Sequence, residues 1–427
     1  MPTKKLSHCV LAIRNRRNNI NLNNSMIDYK KYLMRSVFLV VGIVLFCNVC
    51  LFISCAENEF VPNVVFADLN KAKPLSDADI IDSVDIISLQ GTDQWIQRID
   101  KVVEFDSLLY VMDQRNKALY VFSQTGRHLS TISNVGHAAN EYIEIDDFFI
   151  DKQDGSINIL SSLDKKILKY NGDGTKLLEV KTIPMSFRRI LCYDSGYVGF
   201  MGNCSEDGKS SHNFWVMDKD FRVLNSYIDI NPNLEGMFHG DISTFAEHDD
   251  KLFFFSDSSR DVYRLNDINS KPSLAFTLDC GDANPPQLSA SDYADWQRVF
   301  EVSNKYVMDI CYFQETDNCV MFYYLYQGNY YLTVQDKSGK EAQTYKLDVY
   351  TGDYLFEFGR VVAMADEAIY TSVEAQSVYY PWKGGFESMN YEKEYPQQVN
   401  NIRRKLQNIN PDGNPFVVKY YISKCLR

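Results

Sequence analysis

The sequence predicts an all-β fold, a six-bladed β-propeller with four-stranded blades. Three observations carry that prediction. A short polar turn followed by an apolar strand recurs about every 45 residues, a period typical of propeller blades. Each unit holds its strands in a constant order, and an orphan strand stands at either end of the array.

The recurring turn appears at Asp106-Ser107, Asp154-Gly155-Ser156, Asp194-Ser195-Gly196, Asp249-Asp250, Asp317-Asn318 and Asp366-Glu367, each leading into an apolar strand such as Leu108–Val111 or Leu252–Phe255. The second half of a unit is legible where Leu119–Phe122 and Leu129–Ile132 flank Gln124-Thr125-Gly126-Arg127, and again where Ile167–Tyr170 and Leu177–Val180 flank Gly172-Asp173-Gly174. β-branched and aromatic runs joined by Asp, Asn and Gly read as hairpins. A unit of this kind buries its faces only against neighbours, so the array must close into a ring. The orphan strands, Asp79–Leu89 and Pro415–Ile422, are expected to join one last blade, which ties the ends together and removes a sheet edge. A pair of β-sandwiches also needs many short strands, but the period runs without a linker. Aromatic residues are 14% of the chain, and a stripe such as Tyr323, Tyr324, Tyr326, Tyr330 and Tyr331 is expected to be core or sheet face, since strands favour these residues.

Two insertions interrupt the rhythm. Ser291–Ser303, after Pro285-Pro286, places Tyr293, Trp296, Val299 and Phe300 on one helical face, and Pro396–Ile409 does the same with Val399, Ile402, Leu406 and Ile409. Each predicts a short helix laid on a propeller face, either as packing or as a lid over one end of the channel.

The N-terminal region reads as an export signal. Lys30, Lys31 and Arg35 form a positive segment, Ser36–Ile53 an apolar one, and Ser54 is the small residue before Cys55, the expected lipidation site. The alternative is an uncleaved membrane helix over 36–53, but Cys55 follows at once with no basic stop-transfer cluster. Residues 1–25 carry Arg14, Arg16 and Arg17 and are odd ahead of such a signal, so translation is expected to start at Met26 or Met34. The division is therefore 1–54 signal and spurious extension, 55–78 lipidated tether, 79–427 propeller. Cleavage removes eight Lys or Arg and one acid, moving the formal charge from −12 to −19. Such a surface repels nucleic acid and anionic lipid, so membrane attachment should come from the acyl chains. Of ten cysteines seven remain after cleavage. None has zinc-ligand spacing, and buried free thiols are expected, with Cys311 and Cys319 able to face each other across a hairpin.

The stretch Asn134–Tyr142 followed by Ile145–Asp151 resembles the pattern G-x-G-P-x-E-Y and then D-F-x-x-D of the six-bladed β-propeller lipoproteins abundant in Bacteroides, which are similar to NHL-repeat propellers. Gly136, Glu141, Tyr142, Asp147, Phe148 and Asp151 match, and Ala138 and Ala139 replace the second Gly and the Pro. Asp412-Gly413-Asn414-Pro415 resembles the family's ending, and Glu57 and Glu59 resemble acidic export signals of surface lipoproteins. The resemblance implies the fold over about residues 80 to 424 and a lipid-anchored place in the cell envelope, at the outer membrane, facing the periplasm or the outside. It implies no activity.

Propellers put ligands on their axis, where loops enter the innermost strands. Those entries hold Asp100, Asp146, Arg189, Asp241, Asp309 and Arg360, to within about one residue each. Four carboxylates and two guanidiniums facing one channel would suit a divalent cation such as calcium, or a polyhydroxylated ligand. The bland reading is solvated charges pairing with one another. GxSxG, HExxH, P-loop and GxGxxG signatures are absent from the sequence, and no catalytic residue is assigned. His137, beside Glu141, is the one histidine placed to act as a general base or ligand. Two functions stay open: a non-catalytic envelope lipoprotein binding a glycan, peptide or protein, and a propeller lyase or hydrolase using a channel-bound cation.

Overall fold

The computed structural model describes residues 63–75, 80–206, 211–236, 243–256, 259–338, 341–347, 359–376, 396–406, 410 and 412–422. The expected signal peptide, Cys55 and Asp241 lie outside them. In chain order the strands are β1 (Asn63–Phe66), β2 (Lys73–Pro74) and β3 (Ile81–Ser88), then blade 1 with β4 (Lys101–Phe105), β5 (Leu108–Asp113), β6 (Ala118–Ser123) and β7 (His128–Ile132). Blade 2 follows with β8 (Asp147–Ile150), β9 (Ile157–Ser161), β10 (Lys166–Tyr170) and β11 (Leu177–Thr182), and blade 3 with β12 (Arg189–Tyr193), β13 (Gly196–Phe200), β14 (His212–Asp218) and β15 (Val223–Asp229). Blade 4 has β16 (Phe245–His248), β17 (Lys251–Phe254), β18 (Asp261–Leu265) and β19 (Ser273–Asp279), and blade 5 has β20 (Tyr312–Glu315), β21 (Cys319–Tyr326), β22 (Asn329–Asp336) and β23 (Gln343–Leu347). Blade 6 is β24 (Arg360–Ala365), β25 (Ala368–Val373), β26 (Phe416–Ile422) and the early strand β3, in that order from the axis outward.

The fold is thus the six-bladed propeller that the repeat predicts, with all six aligned turns joining the first and second strands of their blades. The turn chemistry has a backbone cause. Asp106 and Ser107 take φ of 46° and 65°, and Asp249 and Asp250 take 51° and 57°. Two consecutive left-handed residues make the tight hairpin whose twist matches that of the strands, and Asp tolerates that region.

The ring closes as expected. β26 pairs antiparallel with β3 from Phe416↔Ser88 to Ile422↔Ile81, so a strand from each end of the propeller completes blade 6. Hydrophobic clusters fill the interfaces between blades. Val418 and Tyr420 belong to the one between blades 5 and 6, and Val417, one residue away, to the one between blades 6 and 1. That switch follows from the period of two along a strand. Tyr323, Tyr324 and Tyr331 are buried as core residues, and the Tyr324 hydroxyl bonds Thr333 Oγ1 at 2.8 Å.

One boundary needs correction. Residues 63–75, expected as part of a tether, run along the rim: β1 adds a parallel fifth strand to β19 of blade 4, and β2 does the same to β23 of blade 5. The reason is burial. Val65 enters the core between blades 4 and 5, and Leu75 the core between blades 5 and 6, while the backbone satisfies edges that would otherwise stay open.

The insertions form helices α1 (Ala290–Ala294) and α2 (Trp296–Lys305), then α3 (Pro396–Leu406). Asp295 separates the first two, its Oδ1 accepting from the amides of Gln297 and Arg298 at the start of α2. Val302 is buried, but Phe300 on the same helix is exposed. α3 packs on β3, the outermost strand of blade 6, and Lys405 bonds Asp85 and the Ile86 carbonyl there. That contact lies at the rim, so α3 serves as packing and not as a lid over the axis. The described cysteines, Cys192, Cys204, Cys280, Cys311 and Cys319, are free thiols. Burial pushes those of Cys192 and Cys280 up to about 12.

Candidate functional site

The inner strands of all six blades surround an axial channel of about 1050 Å³. Its waist is mostly apolar, with Phe149, Leu191, Phe245, Tyr312, Val362 and Met364 beside the carboxylate of Glu104, and its two ends are charged. This profile follows from the topology. The first strand of each blade is innermost, so its apolar middle lines the waist, its entry loop lines one mouth, and its turn into the second strand lines the other.

At the entry mouth the sequence-predicted residues meet only in part. Asp100 and Arg189 line the channel, and in blade 2 that place is taken by Asp147 rather than by its neighbour Asp146. Asp100 Oδ2 accepts from the Gln114 amide at 2.8 Å, and Asp146 Oδ2 from the Ser162 amide at 2.7 Å. These are the same job in consecutive blades: each carboxylate satisfies the first backbone N–H beyond the second strand. Asp100 also pairs with Arg98 at 2.5 Å and, at 3.9 Å, with Arg360. The two guanidiniums act as clasps between blades, Arg189 donating to the Asp146 carbonyl at 3.1 Å and Arg360 to the Ile99 carbonyl at 3.1 Å. Asp309 is buried ahead of β20.

Asp147, in the sequence a family match and no more, is the hub. Its side chain is almost fully buried, Oδ1 accepts from Lys101 Nζ at 2.7 Å, and Oδ2 lies 3.4 Å from the Ile190 amide. Blades 1, 2 and 3 are thereby joined at one carboxylate. Lys101 also donates to the Phe148 carbonyl and lies 5.2 Å from the centre of the Phe148 ring.

The rest of the family motif is structural as well. The Tyr142 hydroxyl, fully buried between blades 1 and 2, donates toward the carbonyls of Lys117 at 2.8 Å and Ile132 at 3.1 Å. Glu141 Oε2 accepts from the Ala138 amide at 2.9 Å, and a Cβ on Gly136 would stand 2.0 Å from that oxygen and so displace the carboxylate from this bond. His137 is exposed in this loop, and neither it nor Glu141 lines the channel. The general-base reading of His137 therefore has no geometric support. Tyr142→Phe is expected to cost about 1–3 kcal/mol, because a buried carbonyl loses its donor; urea denaturation measures it, and an unchanged midpoint would show the hydroxyl to be idle.

Sequence reasoning misses the opposite mouth as a site, although its residues are the ones that define the period. It gathers Asp151, Lys152, Gln153, Asp194, Glu247 through Asp250, Asp267 and Asp366. Lys152 pairs with Glu247 at 2.8 Å. The His248 ring stands between Asp366 at 3.2 Å and Asp317 at 3.5 Å, and Gln314 Nε2 donates to Asp366 at 2.8 Å. Blades 4, 5 and 6 meet in that network. The aligned turn acids are the available signal, since a turn after an innermost strand must border the axis.

Between the mouths, Glu104 of blade 1 accepts from Tyr370 at 2.6 Å and Lys419 at 2.8 Å, both of blade 6, and from Gln124 at 3.2 Å. Burial acts first and would raise the carboxyl, but the bonds from Lys419, Tyr370 and Gln124 outweigh it and hold Glu104 below its ordinary value. Tyr370 is shifted upward by burial and by Glu104, so its phenol stays protonated.

Several solved structures are similar to this chain in fold. A protein from Bacteroides fragilis, described as exported, is 17% identical with a TM-score of 0.69, over 86% of this chain and 100% of its own. A DUF4221 family member from Bacteroides vulgatus is 10% identical with a TM-score of 0.43, over 79% and 98%. A streptogramin B lyase is 12% identical with a TM-score of 0.41, over 69% and 81%. The first of these shows the fold alone. No curated protein matches the chain by sequence. The family model DUF5128, a 6-bladed beta-propeller, matches residues 55–370, and with its turns, blades and closure as described the chain belongs to that family.

Proposed function

We propose that this chain is a lipid-anchored envelope protein whose propeller binds a ligand in the axial channel without transforming it. The observation that carries the reading is the channel itself, with a mostly apolar waist and polar mouths lined by all six blades, the profile of a binding cavity. The charged groups at its entry are engaged in joining blades or in satisfying backbone amides, which favours binding over catalysis. The far mouth bears an excess of carboxylates, so the field disfavours polyanions and favours neutral or cationic glycans and peptides. Anchoring is supported by the signal-like run ending at Ser54-Cys55 and by a family match that begins at residue 55.

The test is a screen of glycans and peptides against the mature protein by thermal shift, followed by Leu191→Trp, which places an indole in the waist. A ligand of the channel is expected to bind at least tenfold more weakly to that variant, about 1.4 kcal/mol. Unchanged affinity would move the site off the axis.

The second reading, a lyase or hydrolase working through a divalent cation, makes a separate demand. Calcium would have to raise the melting temperature of the parent and fail to do so in an Asp146→Ala, Asp309→Ala variant. The expected result is no calcium effect, because Asp146 already serves a backbone amide.

A further inference from the structure

We propose that the outward face of β1 rests on the lipid bilayer, so that the propeller sits on its circumference with both channel mouths in solvent. This rests on the lipidation of Cys55 proposed above.

Three observations lead there. β1 is an edge strand with alternating environments: Val65 is 1% exposed, in the core between blades 4 and 5, while Val64 and Phe66 are 60% and 52% exposed on the other side. A solvent-facing edge strand carrying two large apolar side chains is a feature soluble proteins avoid, because it invites another surface to cover it. Its position in the chain says which surface. Asn63 follows Cys55 closely in the sequence, so an acylated cysteine holds this strand within about 26–29 Å of its lipid even when the tether is fully extended. Finally, β1 is paired to β19, the outermost strand of blade 4. Nothing that touches β1 from outside the ring needs to approach the axis.

The chemistry is that of an interfacial contact. Branched aliphatic and aromatic side chains partition into the boundary between headgroups and acyl chains, and the anchor supplies the high local concentration of bilayer that two residues alone could not secure. With a formal charge of −19 after cleavage, the chain has no general attraction for anionic lipid. The contact must therefore be apolar and local.

The test uses the full-length protein, matured in cells and reconstituted into vesicles of phosphatidylethanolamine and phosphatidylglycerol containing dibrominated phosphatidylcholine. In Phe66→Trp the added indole emission should shift to shorter wavelength and lose most of its intensity to bromine quenching, and Cys55→Ala in the same background should abolish both effects. Val64→Asp with Phe66→Asp should leave flotation with vesicles intact but expose the 63–75 strap to protease. Acylated Phe66→Trp protein that floats with vesicles while its added indole stays unquenched would overturn the contact and leave the anchor standing, pointing to a protein partner on that edge. Protein that carries no acyl chain by mass would overturn the anchor and the contact together.

Discussion

Val418→Asp is expected to abolish the cooperative folding of this propeller. Val418 is fully buried in β26, paired with Thr371 of β25 on one side and Ile86 of β3 on the other, and it packs in the core between blades 5 and 6. A carboxylate there would be buried among apolar side chains with only the Thr371 hydroxyl opposite it, a cost of at least about 4 kcal/mol. Position multiplies the effect. β26 is the strand through which β3 joins blade 6, so loosening it opens the ring between its first and last strands rather than denting one blade. A propeller depends on each blade having two neighbours, and an opened ring exposes two blade faces at once. Circular dichroism with urea denaturation checks this against Leu178→Asp, on the exposed outer strand of blade 2, which should change stability by no more than about 0.5 kcal/mol. A cooperative transition of unchanged midpoint in Val418→Asp would show that closure by the two terminal strands is not what holds the ring.

The second large effect belongs to the same seam but comes from charge. Glu104→Ala is expected to cost about 2–4 kcal/mol, because Lys419, mostly buried, is left without its carboxylate partner and Tyr370 without its acceptor. The double variant Glu104→Leu, Lys419→Met should recover part of that loss, since the uncompensated charge is gone. The pH dependence has a defined sign. Glu104 is held below its ordinary 4.5, so its contribution is complete above that value and is lost as pH falls through the lowered folded value. Lys419 is shifted upward: burial acts first and would lower it, but the hydrogen bond and charge of Glu104 outweigh burial and raise it above 10.5. Its contribution is complete below 10.5 and lost as pH rises through the folded value. The difference between parent and Glu104→Ala should therefore be flat from about pH 5 to 10 and shrink below about pH 4. A difference that grows in acid would contradict the assignment of the clasp.

Much of the fold is legible in the chain because its determinants are local. Turns such as Asp106-Ser107 and Asp249-Asp250 are specified by residues that tolerate left-handed backbone, and the strands between them by apolar runs of a few residues. Repetition then converts six local signals into one global answer, and the unpaired runs at Asp79–Leu89 and Pro415–Ile422 leave little choice about how the ring closes. The rim strap was not legible. Val64–Phe66 and Lys73-Pro74 are too short to carry a strand pattern, and their pairing with β19 and β23 spans more than two hundred residues of sequence.

The amino-acid sequence by itself determined the blade count, the hairpin turns and the shared closing blade, because period and turn chemistry are properties of neighbours in the chain. Only the tertiary structure decided which charged residues border the axis and what they do there. Asp147 joins three blades, Asp100 and Asp146 satisfy backbone amides, Arg189 and Arg360 clasp neighbouring strands, and the turn acids gather at the far mouth. A charged residue facing an axis has the same letter whether it waits for a ligand or holds its neighbour. Which of the two it does depends on partners supplied by other blades, within three or four ångströms, and that distance is set by the closed ring alone.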